Sequence, residues 1–218
     1  HRIQFKDGHV NSSLRYVQTA RYQAEREANA RLFGRYRNPF TDLPEVAGVD
    51  RTAANTTPIW HGGHLLMAKE DGRPYAVDPE TLETLGSWDY HGKLKSLTMT
   101  AHPRIDPETG EMFFFGYEAD GFCSKTISYC IADKAGNLVS EQFFDAPYAS
   151  LVHDFVITQH YVVFPLFPTI ANAERCEAGG LHFLHDQHQP SWLGIMPRYG
   201  NVADMQWLKG PEGVSGFH

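Results

Sequence analysis

Residues 105–117 read Ile105-Asp106-Pro107-Glu108-Thr109-Gly110-Glu111-Met112-Phe113-Phe114-Phe115-Gly116-Tyr117, a turn signal set before an apolar run. Asp, Pro and Gly reverse a chain because each suits a special backbone conformation or bonds its own backbone locally. The stretch near Leu97–Ile105 and the run Met112–Tyr117 are therefore expected to be antiparallel strands. The pattern repeats downstream, where Asp133-Lys134-Ala135-Gly136-Asn137 separates Thr126–Ile131 from Leu138–Phe144, and Gln159-His160 separates Phe155–Ile157 from Tyr161–Phe167. It also occurs upstream, with Glu70-Asp71-Gly72-Arg73-Pro74 between Leu65–Ala68 and Tyr75–Val77. At the start of the chain, Ile3 and Phe5 alternate with polar residues up to Lys6-Asp7-Gly8, a hairpin signal, and Val10–Val17 reads as the return strand.

One stretch breaks the rule. Thr19–Phe33 holds Ala20, Ala24, Ala28 and Ala30 among many Arg and Glu, which is helix composition, with Thr19 as N-cap and Gly34 as stop. A short helical turn is expected near Ala171–Cys176. The fold class is therefore all-β with one helical insertion near residues 19–33. Short strands joined by hairpins suit a sandwich, a barrel or a propeller. Propeller blades repeat at roughly 40–50 residues, so this length would hold about four or five of them. Propellers close on themselves to avoid unpaired edges. Residues 1–218 therefore read as a single domain, an interior part of a larger propeller, with a complete small β domain as the alternative.

The 218 residues carry 19 Lys+Arg against 26 Asp+Glu, a net charge of −7, which argues against nucleic acid as a partner because phosphate binding needs a basic surface. No run of 18 apolar residues occurs, so a membrane-spanning helix is not expected. Cys123, Cys130 and Cys176 are odd in number and form no Cys-x-x-Cys, which reads as free thiols in a reducing, cytoplasmic setting.

Twelve histidines are many for this length and point toward transition-metal chemistry. His102 and His153 sit at strand ends 51 residues apart, and His218 follows Gly213-Val214-Ser215-Gly216-Phe217 a further 65 on. Ligands about one blade apart could converge on a propeller axis, and an all-imidazole set suits iron, copper or zinc rather than magnesium or calcium. The competing reading is three ordinary core or loop histidines. His182, His185 and His188 form H-x-x-H-x-x-H, but Leu181–Leu184 reads as a strand, so one helical face is not expected there. Taken alone, Lys69-Glu70 reads as a turn opening after a strand, Tyr36 as a packing residue and Thr56 as part of a polar loop.

Five stretches together resemble the carotenoid cleavage oxygenases over nearly the whole chain. Thr98–Glu111 with His102 and Val152-His153-Asp154-Phe155 carry the family likeness. Tyr36-Arg37-Asn38-Pro39-Phe40-Thr41-Asp42, Gly48–Thr57 and Ala68-Lys69-Glu70-Asp71-Gly72-Arg73-Pro74-Tyr75 resemble the lignostilbene dioxygenase branch. The resemblance implies a seven-bladed β-propeller with Fe(II) held on its axis by four histidines. His102, His153 and His218 match three of them, and the fourth belongs to a part of the family fold that this chain does not reach. Glu70 matches a glutamate that hydrogen-bonds a ligand histidine, and Thr56 a residue that restricts an open position at the iron. Tyr36 and Lys69 match the pair that contacts a phenolic oxygen in the stilbene branch. The expected activity is O2-dependent cleavage of the central C=C of a hydroxystilbene to two aromatic aldehydes. The alternatives are a polyene-cleaving relative and a non-catalytic, ligand-binding propeller. The expected partners are O2 and a small hydrophobic phenol, and a homodimer is in keeping with the family.

Overall fold

In the computed structural model, residues 1–216 are described and are built almost wholly from antiparallel strands. Three four-stranded sheets follow one another along the chain. The first contains β3 (Thr57–His61), β4 (His64–Ala68), β5 (Tyr75–Val77) and β6 (Thr84–Ser87), after the hairpin of β1 (Arg2–Lys6) and β2 (His9–Ser13). The second contains β7 (Arg104–Ile105), β8 (Met112–Tyr117), β9 (Thr126–Ala132) and β10 (Leu138–Asp145). The third contains β11 (Val156–Ile157), β12 (Tyr161–Leu166), β15 (Pro190–Pro197) and β16 (Gln206–Glu212). Between β12 and β15 the chain leaves to form a small hairpin, β13 (Thr169–Ala171) and β14 (Phe183–His185), with helix α2 (Ala173–Glu177) at its tip.

The first two sheets pair their strands in sequence order, which is the connectivity of a propeller blade. The described residues close no barrel or propeller.

The middle sheet explains the apolar run. All six residues of β8 are buried. Successive side chains on a strand point to opposite faces. Met112 and Phe114 accordingly join a core with Ile59, Leu66 and Ala76 of the first sheet. Phe113, Phe115 and Tyr117 join a second core with Val162, Phe164 and Leu166 of the third. β9 divides in the same way, with Cys130 and Ala132 on one side and Ile127, Tyr129 and Ile131 on the other. A strand covered on both faces needs no polar alternation. Gly116 is required because a Cβ there would lie 2.3 Å from the Thr98 carbonyl oxygen.

Several local expectations shift. The helix is α1 (Ala20–Ala28), capped by Thr19 as expected, but it ends at Asn29 rather than Gly34. Asn29 takes a left-handed conformation with φ 48°, a C-cap that Asn tolerates well. The Glu25 carboxylate then accepts the backbone N–H groups of Leu32 and Phe33, holding the chain after the helix. The strand expected near Leu97–Ile105 shrinks to β7, because Ser96 and Thr98 side chains bond Thr98 O and Tyr117 O instead of leaving a regular ladder. The first hairpin turns on Asp7 and Gly8, both at positive φ, as a two-residue turn requires.

Candidate metal centre

His102 stands two residues before β7 and His153 three residues before β11, so each enters from the loop that opens its sheet. Their side chains meet, with the two Nε2 atoms 3.0 Å apart. The Nδ1–H of His153 donates to Glu70 Oε2 at 2.8 Å. That bond puts the proton on Nδ1 and leaves the Nε2 lone pair facing His102.

The two histidine loops are clasped together. Arg104, two residues after His102, donates to both carboxylate oxygens of Asp154, the residue after His153, at 2.6 Å each. Met99 N–H bonds Gly72 O at 3.1 Å, tying the loop before His102 to the turn that carries Glu70. Burial, and next the neighbouring His153, hold His102 below the ordinary imidazole range, which favours the neutral, ligating form.

Two imidazoles aimed at one point suit a transition metal. With metal–nitrogen bonds of about 2.1 Å, two ligands at roughly 90° have nitrogens about 3.0 Å apart. The His102–His153 spacing fits such a pair. The carboxylate on the outer nitrogen is the usual partner of a metal-bound histidine.

Glu70 leads outward to the other expected residues. Tyr36 Oη approaches Glu70 Oε1 at 3.5 Å, and Lys69 Nζ lies 5.1 Å from the centre of the Tyr36 ring. The Tyr36 loop is firmly held. Asp42 receives Arg51 through both carboxylate oxygens at 2.6 and 2.8 Å and accepts Gly34 N–H at 2.7 Å. The buried Asn38 amide donates to Cys176 O and Gly180 O at 2.9 and 2.7 Å. This accounts for the Asn-Pro stretch: Asn38 anchors the loop to α2, and Pro39 opens the short 3-10 turn Pro39–Thr41.

Thr56 is exposed immediately before β3, at the place in the first sheet that the histidines hold in the second and third. Its N–H bonds Ala68 O at 3.1 Å. His218 lies outside the described residues. His102, His153, Glu70, Lys69 and Tyr36 thus come together.

The H-x-x-H-x-x-H spacing makes no site among the described residues. His185 and His188 are exposed, while His182 is buried and turns toward Cys123 and Cys176 instead. Sequence reading missed that pairing. It also missed Arg37, which is buried, held at φ 55°, and bonded to Glu70 O, Tyr117 Oη and the Glu118 carboxylate. The Asp beside His153 and the Arg two past His102 could have been noticed as a charge pair flanking the two histidines.

Residues 1–218 match the family described as retinal pigment epithelial membrane protein. Over 207 residues the chain is 45% identical to an isoeugenol monooxygenase of Pseudomonas putida, covering 95% of this chain and 43% of that protein. It is 42% identical over 218 residues to lignostilbene-alpha,beta-dioxygenase isozyme III of Sphingomonas paucimobilis, covering 99% and 44%. Among solved structures it superposes on the lignostilbene dioxygenase of Pseudomonas brassicacearum with a TM-score of 0.92 at 45% identity, covering 96% of this chain and 44% of that one. The chain therefore spans less than half the length of the relatives it matches. No helix among the described residues is long and apolar enough to cross a membrane.

Proposed function

The chain belongs to the retinal pigment epithelial membrane protein family, that of the carotenoid cleavage oxygenases, and we propose that it carries part of the iron centre of a dioxygenase that cleaves hydroxystilbenes. The observation that carries this reading is the meeting of His102 and His153 Nε2 beside Glu70, with Lys69 and Tyr36 one step away. The three sheets are read as successive blades of a seven-bladed propeller whose axis passes the two histidines. Further histidines, His218 among them, complete the set.

Bound Fe(II) supplies the activation of O2 that a closed-shell alkene cannot achieve alone. The residues of this chain do the rest. Lys69, a cation, and Tyr36, a hydroxyl donor, hold the phenolic oxygen of the substrate and favour its phenolate form. A phenolate conjugated with the C=C raises electron density on the bond to be broken. A fixed cation and donor in a site closed to water stabilise that charge far more than solvent-exposed groups do. The central C=C is cut and each carbon keeps one oxygen of O2, giving two aromatic aldehydes.

The names of the relatives support a phenol-bearing alkene. Lignostilbene and isoeugenol each name a phenol whose ring is conjugated with a C=C, and a further relative, at 42% identity, is a resveratrol cleavage oxygenase of Chaetomium globosum.

The test uses the full-length protein, loaded with Fe(II) and supplied with O2 and a 4-hydroxystilbene. Loss of stilbene absorbance is followed and the products are identified by mass. Two aldehydes that require both iron and the 4-hydroxyl are expected. Equal turnover of a stilbene lacking the hydroxyl contradicts the phenolate reading. Cleavage of an apocarotenal alone assigns the site to polyenes, and bound iron with no oxygen uptake assigns the fold to a binding role.

A further inference from the structure

We propose that Cys123, Cys176 and His182 form a second metal site, separate from the His102–His153 pair, which takes a zinc-type divalent cation through two thiolates and an imidazole. Three separate elements deliver the ligands. Cys123 sits in the turn between β8 and β9, Cys176 in α2, and His182 two residues after Gly180, just before β14. Their ligand atoms all lie within 4.8 Å of one another. His182 Nδ1 is 3.6 Å from Cys176 Sγ and 3.9 Å from Cys123 Sγ. A tetrahedral zinc with Zn–S bonds of about 2.3 Å and Zn–N bonds of about 2.0–2.1 Å separates sulfur from nitrogen by about 3.6 Å. The two sulfur–nitrogen distances stand at or within a few tenths of an ångström of that edge.

The outer nitrogen of the histidine supplies the second, independent observation. His182 Nε2–H donates to Glu118 Oε1 at 2.7 Å, so the Nδ1 lone pair is turned toward the two sulfurs. A carboxylate behind a histidine in this way orients the ring and raises its basicity as a ligand. Glu118 is itself fixed, by the Arg37 guanidinium and by Cys123 N–H at 2.8 Å. Cys176 and His182 are 0% and 2% exposed, whereas Cys123 is partly open, so the cluster meets solvent on the Cys123 side.

The charges balance. The cation displaces two thiol protons to solvent, the two thiolates cancel its charge, the imidazole stays neutral, and Glu118 stays paired with Arg37. No oxidant or reductant is involved. A bound cation would pin α2 to the turn after β8. Asn38, which bonds Cys176 O, and Arg37, which bonds both Glu118 and Glu70 O, would pass that constraint to the loop that carries Tyr36.

The experiment uses the full-length protein with His102→Ala, which disables the first site, kept reduced, stripped of metal and titrated with Co2+. The expected result is about one equivalent bound, with a near-ultraviolet thiolate-to-cobalt charge-transfer band and the intense visible bands of tetrahedral cobalt. Zn2+ should bleach both, and Cys123→Ser and Cys176→Ser should each abolish the thiolate band. In the otherwise unmodified protein, Zn2+ should raise the unfolding temperature and protect Cys123 from alkylation, which keeps the test decisive if the serine variants fold poorly. A cobalt spectrum without a thiolate band overturns the site, as does Cys123 alkylation that zinc does not slow. A Cys123–Cys176 disulfide in metal-free protein that Zn2+ cannot prevent also overturns it.

Discussion

At the scale of single residues, the proposed chemistry turns on one carboxylate, Glu70, and one cation, Lys69. Glu70 accepts the outer N–H of His153 and lies beside Tyr36, so it joins the proposed metal centre to the proposed substrate side. Glu70→Gln keeps the shape but removes the charge that strengthens His153 as a ligand. Iron affinity of the full-length protein is expected to fall by about 10–100-fold, read by chelator competition. Unchanged affinity would show that Glu70 serves only to pack the turn. Lys69 is not among the proposed metal-binding residues and should affect a different quantity. Lys69→Met is expected to cut turnover of a 4-hydroxystilbene by about 100-fold or more while iron content stays at the wild-type level. Full turnover in that variant would remove the phenolate role. Read alone, Lys69-Glu70 is only a turn opening; their proposed roles come from the resemblance carried by Ala68–Tyr75, and the structure adds that Glu70 bonds His153 and that Lys69 lies over the Tyr36 ring. The contacts of Arg37, Glu118 and His182 were not legible in the sequence, since they join positions 64 to 81 residues apart that only the fold unites.

At the scale of elements, β8 is the plate between two cores, and its sequence shows what that position demands. Phe115 is fully buried, with ring centres of Phe155 and Phe164 at 5.0 and 5.7 Å. Phe115→Ala should cost about 3–5 kcal/mol of stability, measured by urea unfolding. A loss under about 1 kcal/mol would mean that the core collapses to fill the gap. The turn before β8 has an electrostatic role. Asp106 accepts Glu108 and Thr109 N–H groups and pairs with Arg198, the residue after β15. The Glu108 N–H first, then Arg198 and the Thr109 N–H, hold its carboxyl below the ordinary range. As pH falls, the unfolded chain therefore takes up the proton before the folded one does. The stabilisation is complete above the unfolded carboxylate value, about 3.9, and is lost as pH falls through the lower folded value. Asp106→Asn should flatten the acid side of the stability profile, and an unaltered profile would exclude the clasp. Turn residues marked these hairpins because their conformational needs are local. The extents of strands and helix were less legible. Side chains of Ser96 and Thr98 intercept the backbone where a strand was expected, and Asn29 ends α1 five residues before the expected glycine.

At the scale of the whole molecule, the loops that open the second and third sheets meet beside the β4–β5 turn of the first, so His102 and His153, about fifty positions apart, become neighbours. Spacing along the chain had hinted at this for His102 and His153, because equal units repeated about one axis place equivalent residues together. It could not reveal the Cys123–Cys176–His182 cluster, whose members share no period. The Arg104–Asp154 pair extends the logic, since it ties the second sheet to the third beside the two histidines. The central claim is that His102 and His153 hold one iron ion. It is tested most directly by metal analysis of the purified full-length protein alongside His102→Ala and His153→Ala, each checked by circular dichroism for an intact fold. The account predicts iron in the unaltered protein and its loss, together with cleavage activity, in both folded variants. Iron retained at full occupancy in either folded variant would contradict it.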